Sequence, residues 1–217
     1  MYYSSTLFAL VGFSNPVAVG LVVAGTNFVM TAINAYCVDP FGRRRVLVST
    51  VWGMSVGLLA VAVAFIWIPV DTNTLELTSS TGIHAPAIAV LVFIVWFVVF
   101  YGVSVGNTAW MSTDFFPIEV RSMGTMFLTC SCWGSNIIVS STFLSMMKAM
   151  TPSGAFGFYA AICFVGWILI IFFYPEVSGL TLEEIPRVFE HGFGVKYSRE
   201  LRKQRKLDAK AAAGQMA

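Results

Sequence analysis

Apolar residues along the chain gather into five long runs, at 17–38, 46–68, 87–110, 125–147 and 156–174, and none of the runs has a formal charge in its interior. A helix needs about 20 apolar residues to cross a bilayer. Inside lipid every backbone N–H and C=O must be bonded within its own segment, so each run is predicted to be a spanning α-helix. Polar residues collect between the runs and differ from one gap to the next. Asp39-Pro40-Phe41-Gly42-Arg43-Arg44-Arg45 is short and basic, whereas 69–86 holds Asp71, Glu76 and His84 without a Lys or Arg. Placing the triple arginine in the cytoplasm puts Arg121 and everything after Pro175 there as well. Of the 13 Lys and Arg, Lys148 alone then lies outside.

The opening residues, 1–12, are too apolar for a loop. At 1.5 Å per residue they rise only about 18 Å through a core of about 30 Å. Exposing the first four N–H groups of such a helix to lipid costs several kcal/mol each. The expectation is a first helix truncated at Met1 and a chain that is the later part of a longer protein; the alternative is a re-entrant half-helix. Met1-Tyr2-Tyr3 supplies neither the basic segment nor the small-residue cleavage site of a leader, so no cleaved segment is expected.

Composition agrees with lipid as the solvent. Of the 217 residues, 57% are hydrophobic and 11% charged, against about 25% charged in ordinary soluble domains. Cys37, Cys130, Cys132 and Cys163 fall in apolar runs without metal-ligand spacing, so they read as small buried side chains. No cofactor, metal or nucleic-acid partner is expected. An enzyme is not expected either, because the spans hold no paired carboxylates or histidines, and His84 and His191 fall on opposite sides. Gly53 with Gly57 and Gly102 with Gly106 have the spacing that lets helices approach closely, and both pairs read as packing.

Asp39 to Arg44, spaced D-x-x-G-R-R between two spans, resembles the cytoplasmic loop of sugar porters in the major facilitator superfamily. The same order of motifs continues with Tyr2-Tyr3-Ser4, Trp110 ahead of Asp114-Phe115-Phe116-Pro117, Arg121, and Tyr174-Pro175-Glu176. Gly106-Asn107, Thr151-Pro152-Ser153-Gly154 and YPEVSGLTLEEI leading into HGFGVK are similar to the fungal myo-inositol/proton symporters in particular. The family has twelve helices in two halves. The resemblance therefore implies an all-α membrane protein, the C-terminal six-helix half of such a transporter, with 1–175 as the transmembrane bundle and 176–217 as a cytoplasmic tail. It further implies proton-coupled myo-inositol uptake by alternating access in the plasma membrane, with the N-terminal half as missing partner and the fragment inactive alone. A hexose transporter is the second transport reading. A half-size membrane protein that assembles with itself or regulates a full-length porter is the other class.

A cyclic polyol is uncharged and rich in hydroxyls, so its site needs neutral donors and acceptors and an aromatic face. By resemblance the substrate residues are Asn27, Trp110 and Trp133, with Asn136 one turn beyond Trp133 on the same face. Tyr2 and Tyr3 match the extracellular gate, and Arg43, Asp114 and Arg121 match a cytoplasmic gate of ion pairs. From the residues alone, the favoured reading of each asparagine is an interhelical hydrogen bond worth about 1 kcal/mol, and Trp110 reads as an interfacial belt residue. Arg44 and Arg45 read as flanking positive charge. In the tail, Thr181 with Glu184 forms a capping box for a short helix, and the basic stretch 196–210 suits solvent or anionic lipid.

Overall fold

The computed structural model describes residues 4–11, 13, 15–68, 70–71, 76–77 and 85–177, and the single positions 195, 197, 198, 200 and 204. The capping box, most of the basic tail, His84 and His191 lie outside the described residues, as do Tyr2 and Tyr3. The elements in order are α1 (Ser4–Leu10), α2 (Pro16–Phe41), α3 (Arg43–Ala64), β1 (Val70–Asp71), β2 (Glu76–Leu77), α4 (Ala85–Met111) and α5 (Arg121–Phe173). A 3₁₀ turn, Phe65–Trp67, follows α3, and another, Ser112–Phe115, follows α4. The one departure from an all-helical chain among the described residues is the two-residue antiparallel ladder, Val70 opposite Leu77 and Asp71 opposite Glu76.

Among the described residues four helical runs are long and apolar enough to cross a membrane: Pro16–Val38, Arg43–Trp67, Pro86–Gly106 and Arg121–Phe173. The last has 53 residues, which as a straight helix would measure about 80 Å, more than twice the core thickness. It is two spans meeting at Thr151, whose φ of 65° and ψ of 156° leave the helix. Phe143 meets Phe156 edge-on at 5.8 Å and Tyr159 at 6.1 Å, so the arms on either side fold against each other. The corner caps its second arm. Gly154 N–H donates to Thr151 Oγ1 at 3.3 Å, and Pro152 takes the first helical position, where no N–H is needed. The sequence expectation of two spans, 125–147 and 156–174, corresponds to these arms, and the Thr151-Pro152-Ser153-Gly154 loop contracts to this corner.

One hydrophobic core joins the helices at the end bearing that corner. Leu58, Val61, Ala62 and Phe65 from α3 and its 3₁₀ extension meet Ala87 and Val90 from α4, Met147, Ala155, Phe156 and Ala160 from α5, and Leu7 from α1. Phe65 stacks on Phe156 at 5.5 Å with the rings 7° from parallel.

From this core to the opposite end, α3 and the second arm of α5 run antiparallel, joined by a row of side-chain-to-backbone bonds. Arg44 donates to the Ile171 carbonyl at 2.7 Å, Trp167 to Val48 at 2.9 Å, Ser55 to Ala160 at 2.9 Å and Ser153 to Ala62 at 2.7 Å. The residues joined are spaced by four, seven and seven on both helices, the heptad interval that keeps one seam facing a partner. A carbonyl already bonded within its helix accepts a second proton on its free lone pair, so no backbone bond is sacrificed; the Ile171 carbonyl, whose helical donor would be the N–H that Pro175 lacks, is an end-of-helix acceptor that Arg44 satisfies. Ser153→Ala is expected to cost about 1 kcal/mol of stability, seen as a lower melting temperature in detergent. An unchanged melting temperature would mean that this rung carries nothing.

The glycine pairs pack as their spacing predicts. Gly53 lies under the Phe100 ring, and Gly57 faces Trp96 and Phe97, bringing α4 onto α3. Gly102 and Gly106 bring α4 onto α2 at Met30 and Thr31.

Candidate functional site

Asn27 is half-buried near the middle of α2, beside the seam with α4. A Cβ added at Gly102 would meet the Asn27 carbonyl at 3.4 Å and Met30 Cβ at 2.7 Å. The Asn27 Oδ1 is buried and has no hydrogen-bond partner among the described residues.

Trp133 and Asn136 sit on the first arm of α5, three residues apart and both exposed. Thr129 and Ser140 fall one turn to either side on the same face. Around them the arm is apolar and open, with Met126, Phe127, Ile137 and Ile138 exposed. Ser135, Ser141 and Thr142 donate their hydroxyl protons to carbonyls one turn back, at 2.5, 2.7 and 2.7 Å. Such hydroxyls keep lone pairs to accept with and no proton to give. Asn136 can do both. Trp110 belongs to the last turn of α4 and its side chain is outside the described set. Among the described residues no hydrogen bond joins Asn27 to Trp133 or Asn136. Two shallow grooves of about 360 and 590 Å³ lie on the outward faces of α5, along Phe158 to Leu169, and of α2, along Asn15 to Ala24. Each is lined almost wholly by apolar side chains of one helix and suits lipid better than a polyol.

At the opposite end, Arg43 starts α3 and Arg121 starts α5, both half-buried. Arg121 Nε and Nη2 are buried without a partner among the described residues. Asp114 lies in the turn Ser112–Phe115, and its side chain is outside the described set. The expectation for Arg44 is corrected here. It is 8% exposed, and its guanidinium reaches the Ile171 carbonyl across 127 residues of sequence. Gly42 is the cause. With φ at +89° it turns the chain from α2 into α3 in one residue, so the second following side chain points into the bundle. Arg45 stays exposed, as flanking charge should.

Glu176 was given no role by its sequence, yet it is 5% exposed between buried Pro175 and Val177, and its carboxylate lies over Gly42. The signal was its place in Tyr174-Pro175-Glu176 immediately after a span, where an acid that only faced water would need no fixed neighbours. Asn34 was also missed, because nothing distinguishes one asparagine in an apolar run from another. The cysteines correct a further expectation: Cys130 and Cys132 are exposed, and Cys37 and Cys163 partly so. The first arm of α5 is covered by little else in the chain, so apolar surroundings in sequence did not become burial.

Four apolar helical runs of membrane-crossing length among the described residues define a multi-pass membrane protein. The family model for "Sugar (and other) transporter" matches residues 1–189, and the chain belongs to that family, among the sugar porters of the major facilitator superfamily and with the fungal inositol transporters. It is 43% identical over 209 residues to myo-inositol transporter 1 of Cryptococcus neoformans var. grubii, covering 96% of this chain and 37% of that protein. To myo-inositol transporter 1 of Candida albicans it is 38% identical over 213 residues, covering 98% of this chain and 38% of that protein. The chain thus spans little more than a third of the length of these relatives. A solved structure of the proton:xylose symporter XylE, bound to 6-bromo-6-deoxy-D-glucose, has the same fold with a TM-score of 0.71 at 22% identity, over 87% of this chain and 38% of that one.

Proposed function

We propose that this chain forms the C-terminal six-helix half of a polyol transporter that takes up myo-inositol with a proton by alternating access. The observation that carries the reading is the orphaned Oδ1 of Asn27. A buried acceptor with no partner costs about 1–3 kcal/mol, and a substrate hydroxyl would relieve that cost. The identity to fungal myo-inositol transporters over 96% of the chain supports inositol as the substrate. In this reading Asn27 and Asn136 hold hydroxyls, Trp133 and Trp110 cover the ring's C–H face, and Tyr2 and Tyr3 close the site from outside. Arg43, Asp114 and Arg121 close the cytoplasmic side through ion pairs that break when the helices part. Even pairs worth about 0–1 kcal/mol each bias such a two-state equilibrium. The N-terminal half supplies the facing wall of the cavity and the proton-coupling carboxylate. The transporter sits in the plasma membrane, with the tail after Pro175 in the cytoplasm.

Labelled myo-inositol uptake by the complete transporter tests this. Asn27→Ala and Trp133→Ala are each expected to raise the half-saturation constant about tenfold, equivalent to about 1.4 kcal/mol, at unchanged surface expression. Wild-type kinetics in both variants would remove the site.

A further inference from the structure

Asn34 is a fully enclosed polar side chain of α2, 0% exposed. Neither its Oδ1 nor its Nδ2 has a hydrogen-bond partner among the described residues. A carboxamide left so inside a membrane protein is costly, and a buried polar group without a partner calls for a specific explanation. Seven residues separate Asn34 from Asn27, placing both on one face of α2 about 10.5 Å apart along its axis. The residues between them, Met30 and Thr31, are the ones that meet Gly102 and Gly106 of α4. Shortly beyond that seam α4 ends in the 3₁₀ turn Ser112–Phe115, a common way for a helix to close. A trapped water would need two to four polar partners. One turn to either side of Asn34, α2 offers Met30, Thr31, Cys37 and Val38, three of them without an oxygen or nitrogen in the side chain. A hydroxyl group on a larger ligand brings its own anchorage elsewhere, and its donor and acceptor match the two ends of the amide.

We propose that Asn34 is a second binding position for a hydroxyl of the polyol, two turns closer to the Gly42 end than Asn27, and that it becomes accessible when α2 and the end of α4 part. The proposal rests on the transporter reading above. With the seam closed the amide is orphaned, so the closed packing is weaker than an apolar side chain would make it. With the seam open, the substrate leaving Asn27 finds a donor and an acceptor already on its path.

Asn34→Leu, close in size and without the amide, tests both halves of the idea, with Asn34→Ala as a second variant. In detergent, the purified Asn34→Leu chain is expected to melt at a higher temperature than the wild type. In sealed vesicles of both orientations carrying the complete transporter, Asn34→Leu is expected to raise the myo-inositol half-saturation constant on the Gly42 side about tenfold more than on the opposite side. A lower melting temperature for both variants would mean that the amide is bonded in the closed state, and would overturn the proposal. An equal effect on the two sides would do the same, leaving a position wetted by water only. If the wild-type transporter moves no myo-inositol, the transporter reading has failed on substrate; the melting temperatures still decide whether Asn34 is orphaned, and labelled glucose then reads the two sides.

Discussion

Gly53→Val is expected to destabilise the bundle by about 2–4 kcal/mol, with overpacking as the larger part and a lost hydrogen bond as the smaller. A Cβ at this position would lie 2.5 Å from Phe100 Cε1, well inside van der Waals contact. The ring has no easy retreat, because it is held edge-on by Trp52 at 6.2 Å and by the tilted ring of Trp96 at 5.0 Å. Trp96 in turn donates its indole N–H to the Gly53 carbonyl at 3.2 Å, so pushing α4 away also breaks that bond. The measurement is the melting temperature or denaturant midpoint in detergent, with Gly25→Val as the control, since nothing lies within 4 Å of a Cβ added at Gly25. Combining Gly53→Val with Phe100→Ala should recover part of the loss by making room. A loss as large at Gly25 as at Gly53 would show that β-branching in the helix, rather than contact, is responsible.

That contrast indicates how far the sequence alone could be read. The spans were legible because apolar runs of this length in lipid admit one backbone solution, and the glycine spacing pointed to close packing on the correct helices. The partner of each glycine was not legible, since Phe100 is chosen by the angle between α3 and α4, which no local pattern encodes. The corner at Thr151 was signalled by its proline and glycine, although its reduction to a single non-helical residue was not. Arg44 and Arg45 are adjacent and chemically identical in sequence, yet one reaches Ile171 and the other faces out. Their difference is set by the turn at Gly42. Asn27 and Asn34 lie in the same apolar run, and in both the side-chain oxygen is left without a hydrogen-bond partner among the described residues. Motif resemblance singled out Asn27. Asn34 needed the packed seam, because burial without a partner is a property of three-dimensional surroundings.

Gly42→Ala is expected to cost about 3 kcal/mol or more, from two separable sources. The first is backbone strain: Gly42 has φ +89° and ψ 136°, a region in which a residue with a Cβ pays about 1–3 kcal/mol. The second is contact, because the new methyl would sit 2.8 Å from Glu176 Oε2 and 3.2 Å from its Cδ. Moving that carboxylate is hard, since Pro175, Glu176 and Val177 are all buried. The turn itself allows no slack. Gly42 N–H closes α2 on the Val38 carbonyl at 3.0 Å, and the Gly42 carbonyl accepts the first bond of α3 from Val46 N–H at 3.1 Å. Shifting the turn would also draw Arg44 away from Ile171 and open the end rung of the α3–α5 ladder. Adding Glu176→Ala to Gly42→Ala separates the two sources: removing the carboxylate relieves the contact and leaves the strain. In detergent unfolding the pair should therefore show a coupling of about 0.5–3 kcal/mol, with the double variant still less stable than Glu176→Ala alone. Strict additivity would place the whole effect in the backbone, and a Gly42→Ala loss below about 0.5 kcal/mol, the range of an ordinary surface substitution, would contradict the turn geometry itself.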